Sequence, residues 1–127
     1  MRIKIAEMTF IILLGLFLMV VFAQFILAGL AVFADPAQWR NHTMLIHLFG
    51  FNLPLILLVF AWLGKMKKRV YLQVLGFMVL IFLMYFTANI AGKMPWFAAL
   101  HPIVGVLLFI GTTLLMVQQI YSYGRRI

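Results

Sequence analysis

The chain has no cysteine. That excludes thiol–disulfide chemistry, thioether-attached haem, iron–sulfur clusters and cysteine-held zinc. It is also nearly without acid: Glu7 and Asp35 are the only carboxylates among 127 residues. Neither lies deep in an apolar run, so none is placed to complete a zinc site or to couple an ion to transport. Charge of either sign is scarce, at 9% of residues, while 67% are hydrophobic and the mean hydropathy is +1.17. A soluble domain needs a far more polar surface. One small integral membrane domain over residues 1–127 is therefore expected.

What the chain has in abundance is apolar length. Four runs, at about 8–33, 43–63, 70–90 and 97–121, each approach the ~20 residues that cross a hydrocarbon core as a helix. The connections are short, so neighbours must be antiparallel, and the expected fold is all-α, an up-down four-helix bundle. Ala28, Gly29, Gly50, Gly76, Ala88, Ala91 and Gly105 are candidates for close helix contacts. Pro54, inside the second run, predicts a kink. The first run has the basic start and the Val21-Phe22-Ala23 sequence of a cleavable signal, but it continues past Gln24 to Phe33. That is too long for such a signal, and a retained helix is expected.

Ten basic residues give a formal net charge of +8. Arg2, Lys4, Lys65, Lys67, Lys68, Arg69, Arg125 and Arg126 fall on one side of the four runs; Arg40 and Lys93 fall on the other. The positive-inside rule then puts both termini and the middle loop in the cytoplasm, in a multi-pass protein of the plasma membrane. Trp39 and Trp96 fall at the outer interface and Trp62 at the inner one, as an aromatic belt requires. Glu7 should form an interfacial salt bridge with a loop lysine. No basic stripe with exposed aromatics supports nucleic-acid binding; the lipid bilayer is the partner this composition implies.

Two histidines stand out. His47 opens the second run and His101 the fourth. Each lies roughly 6 Å below its helix start, at 1.5 Å per residue, on helices running the same way. Gly50 follows His47 by three residues and Gly105 follows His101 by four, so each shares a face with its histidine. Two imidazoles with a side-chain-free patch beside them match a flat macrocycle, haem b, held by both axial ligands in a helix bundle. Two histidines alone make a poor zinc site. Arg40 and Lys93 are placed to pair with propionates, and Gln24, Thr87 or Asn89 to accept from the second ring nitrogens. His42, about 140° round the helix from His47, is expected to be an interfacial or loop residue with a minor chance of replacing it. Methionines, Met44 and Met94 included, read as packing.

The halves are weakly alike. Gln24-Phe-Ile-Leu-Ala-Gly29 closes the first run and Thr87-Ala-Asn-Ile-Ala-Gly92 the third. Each is followed by a loop with a tryptophan and a base, then by His47-Leu-Phe-Gly50 or His101-Pro-Ile-Val-Gly105.

These residues resemble one four-helix half of heme A synthase, and also small uncharacterised four-helix membrane proteins with Gln…Ala-Gly, His…Gly and His-Pro. Here the pattern reads Gln24…Ala28-Gly29, His47…Gly50, His101-Pro102, and it covers nearly the whole chain. The resemblance implies a haem between the two histidines and, because that family pairs two halves, a homodimer. Heme A synthase carries Glu-x-x-His-Arg at its catalytic histidine; here Met44 and Leu48 stand at the Glu and Arg positions. The outer-loop cysteine pair of some members is absent too. The expectation is a haem-holding scaffold without the oxidising apparatus, serving electron transfer or haem storage or delivery with a redox or haem-enzyme partner. The alternatives are a cofactor-free accessory or assembly subunit, or a small dimeric transporter.

Overall fold

The computed structural model describes residues 1–126. All regular structure among them is helical: α1 (Arg2–Phe33), α2 (Gln38–Phe49), α3 (Asn52–Leu63), α4 (Lys68–Asn89), α5 (Pro95–Ala98) and α6 (His101–Gly124). Four stretches are long and apolar enough to cross a membrane: Arg2–Phe33, Gln38–Leu63, Lys68–Asn89 and Pro95–Gly124. Each packs against its sequence neighbours, and α1 closes the ring against α6.

The core follows a heptad rhythm. In α1 the buried residues include Glu7, Phe10, Leu14, Phe17, Val21, Gln24 and Ala31; in α6 they are Gly105, Leu108, Thr112 and Leu115. Steps of three and four keep one seam of each helix facing its neighbours. The outward faces stay apolar: Ile12, Met19, Val79 and Phe82 are all more than half exposed. A surface of that kind suits lipid and would associate in water.

The second span breaks at Gly50–Phe51. Pro54 has no N–H, and its ring crowds the carbonyl four residues back, which is that of Gly50. The kink expected from Pro54 is therefore expressed one turn upstream. Asn52 Nδ2 donates to the Leu48 carbonyl at 2.6 Å, satisfying an oxygen close to the break. Gly50 is needed here for room: a Cβ on it would stand 2.5 Å from the Ile46 oxygen.

Two boundaries differ from the sequence expectation. α1 starts at Arg2 rather than near Met8, and its 32 residues span about 48 Å, well beyond a ~30 Å core. α2 starts at Gln38 rather than near Thr43. Asp35 explains the second shift. Its side chain accepts from the Ala37 N–H at 2.9 Å, and its carbonyl accepts from Gln38 N–H at 3.0 Å, so the turn at Asp35-Pro36 winds directly into helix.

Eight of the ten basic residues gather at one end, away from Arg40 and Lys93. Glu7 there pairs with Arg126 at 2.7 Å, not with a loop lysine as the sequence reading expected. Helix α6 runs long enough to bring Arg126 to the carboxylate, and Ser122 steadies the guanidinium through its carbonyl at 3.0 Å.

Candidate functional site

The early start of α2 makes His42 a helical residue, and this decides which histidines meet. His42 and His101 face each other with ring centres 6.4 Å apart. His47, five residues on and about 140° round the helix, turns to α4 instead. Its Nδ1 lies 3.1 Å from the Tyr85 hydroxyl, and the rings are 5.4 Å apart. His42, expected at the interface or in a loop, and not His47, therefore lies beside His101. Asp35-Pro36, a turn followed by polar helix-forming residues, was the signal that could have extended α2 back to it.

Both facing imidazoles are fixed by backbone. His42 Nδ1 lies 3.1 Å from the Gln24 carbonyl, and His101 Nδ1 lies 3.0 Å from the Met84 carbonyl. A carbonyl only accepts, so each Nδ1 donates and, in the neutral ring, the lone pair falls on Nε2. Thr87 Oγ1 donates to the Leu83 carbonyl at 2.8 Å and stands 3.1 Å from His101 Nδ1 as a second acceptor. The two anchors are 18 and 17 residues upstream of their histidines, a similar separation in the two halves. Trp39 meets the His42 ring edge-on at 5.5 Å.

The spacing has chemical meaning. Metal–imidazole bonds are about 2.0 Å, and a ring nitrogen lies about 1.1 Å from its ring centre for C–N bonds near 1.33 Å, so two opposed imidazoles sharing one metal have centres about 6.2 Å apart. The ring centres of His42 and His101, 6.4 Å apart with planes inclined at 54°, lie near that separation, and neutral imidazole is a common metal ligand. No cluster of three or more His, Cys, Asp or Glu occurs among the described residues. A centre that needs only two protein ligands fits this donor set; tetrahedral zinc does not.

Gln24 adds a second sign. Its carbonyl holds His42, while its side-chain Nε2 and Oε1 are buried with no hydrogen-bond partner among the described residues. Leaving such a group unpaired costs about 1–3 kcal/mol. A ligand beside the pair can supply the missing bond. The expected acceptors are thus partly in place: Gln24 serves through its backbone, Thr87 through its hydroxyl, and Asn89 is exposed.

The glycines do not form open walls. A Cβ on Gly105 would meet Met84 Cε at 3.2 Å and Phe25 Cζ at 3.4 Å, so those two side chains already cover that face. A macrocycle there must move a flexible methionine and a phenylalanine that is 38% exposed. Gly50 belongs to the helix break, packed on Ile46. Arg40, in the first turn of α2, and Lys93, in the α4–α5 turn, are both exposed on the histidine side of the bundle.

The profile of a family of unknown function (DUF6220) matches residues 24–92, more than half of the chain. The matched stretch starts at Gln24 and contains Arg40, His42, His47, Tyr85 and Thr87; His101 lies beyond it. No curated protein and no solved structure matches the chain. The protein that carries this facing histidine pair belongs to the DUF6220 family of unknown function.

Proposed function

We propose that the protein is a membrane-embedded b-type haem-binding protein whose axial ligands are His42 and His101. One observation carries the reading: two imidazoles 6.4 Å apart, each with Nδ1 anchored to a carbonyl. Haem bound there would supply one-electron chemistry, with His42 and His101 as its two protein ligands, a donor set that favours electron transfer or carriage over oxygen chemistry. The protein's part is to hold both rings in one tautomer, to offer the Gln24 amide, and to present Arg40 and Lys93 toward propionates at the outer mouth. The charge asymmetry supports a multi-pass plasma-membrane protein with cytoplasmic termini. The likeness to one half of heme A synthase supports a homodimer. With His42 as ligand, Trp39 and Thr43 take the places of that family's Glu and Arg, so no catalytic carboxylate stands beside the histidine in this register either.

Protein extracted from the membranes of a haem-replete host should show a Soret band, with sharp α and β bands on reduction. A colourless preparation that refuses added haemin overturns the reading. Stable copurification of that colourless protein with a larger complex would instead identify an accessory subunit.

A further inference from the structure

At the end of the bundle opposite the histidines, a cleft of about 830 Å³ opens between the α3–α4 loop, the start of α4 and the end of α6. Lys65, Lys67, Arg69, Arg125 and Arg126 line it, against one carboxylate, Glu7. That carboxylate is already bound by Arg126, so the other four cations have no acid partner among the described residues. α4 begins in the same cleft, with no acidic residue in its first turn and no side-chain cap, so its N-terminal dipole adds to the positive potential. Topology alone explains positive charge at this end. It does not explain why the charge converges on a recess.

One further feature points to a ligand. Gln73 lines the cleft and bonds Gln118 through Nε2 at 3.2 Å, while its Oε1 is buried without a partner among the described residues. Lys65 holds a left-handed backbone (φ 49°), a conformation that glycine adopts without steric cost.

We propose that this cleft binds a phosphate ester bearing a hydroxyl. The phosphate is met by Lys67, Arg69 and Arg125, with Lys65 at the rim, and the hydroxyl donates to Gln73. A phosphatidylglycerol headgroup and a free glycerol phosphate share that chemistry.

The test is retention of lipid by the full chain, read by native mass spectrometry after extraction from vesicles of phosphatidylglycerol mixed with phosphatidylcholine. The native protein should keep phosphatidylglycerol selectively. The Lys67→Gln/Arg69→Gln/Arg125→Gln variant should lose about tenfold or more of that preference, since each base near a surface contributes measurably to anion attraction. Lys65→Gly should lose part of it while unfolding at a higher temperature, which separates binding from folding. Soluble glycerol phosphate that displaces the lipid assigns the site to the phosphate ester itself; lipid that resists displacement assigns it to the headgroup with its tails. Equal retention of both lipids by the native protein, or an unchanged preference in both variants, overturns the proposal.

Discussion

Replacing Gln24 with leucine separates a structural amide from a ligand-facing one. The residue sits in the heptad seam of α1, and both side-chain polar atoms are buried without partners among the described residues. Leucine has nearly the same size, so little cavity or overpacking arises. Removing unsatisfied groups recovers part of their desolvation cost. Polar groups in membrane bundles are worth less than in water, so about 1 kcal/mol of added stability is expected for the unliganded protein. The backbone carbonyl that holds His42 is unaffected. If the amide supplies one hydrogen bond to haem, its loss costs about 1 kcal/mol of binding, close to a fivefold weaker affinity. Thermal unfolding of detergent-solubilised protein, with and without haemin, reads both quantities. Gln24→Leu should raise the unfolding temperature without haemin and shrink the increment haemin adds. A variant that loses stability without haemin, or binds haemin as tightly as the native chain, refutes the reasoning.

Gly50→Ala forces a Cβ to within 2.5 Å of the Ile46 oxygen and should destabilise the fold by about 1–3 kcal/mol in chemical unfolding. Arg126→Ala strands the buried Glu7 carboxylate; because Arg126 is half exposed, a loss of about 1–2 kcal/mol is expected, below that of a fully buried pair, and Glu7→Gln added to it should restore part of the loss. Thr87→Val leaves His101 Nδ1 with the Met84 carbonyl alone, so haemin titration should show affinity weakened by about tenfold, the low end for lost supporting partners. Unchanged affinity in Thr87→Val would mean that the hydroxyl serves only its own helix, through Leu83.

The four apolar stretches were legible in the sequence because length and hydropathy alone define them, and the structure gives helices at all four. His101 was legible for the same reason: it opens α6 beside Pro102, where a helix start is plainly marked. That His42 rather than His47 lies beside His101 was not legible, because apolar periodicity marks where a helix becomes apolar, not where it begins. The polar turn Gln38–His42 is helix without being hydrophobic, and only the Asp35 turn reveals it. The glycines misled for a different reason. Spacing places Gly105 on the face of His101, but only packing shows Phe25 and Met84 laid over it. The partner of Glu7 depended on where the end of α6 comes to rest, and local sequence carries no such information.

The central claim is that His42 and His101 form one site, with His47 outside it. The most direct measurement is the visible spectrum of reduced, haemin-loaded protein carrying His42→Ala, His47→Ala or His101→Ala. The account predicts that His42→Ala and His101→Ala each lose the sharp α and β bands of six-coordinate iron, while His47→Ala keeps them. Bands that survive in His42→Ala and vanish in His47→Ala would contradict it.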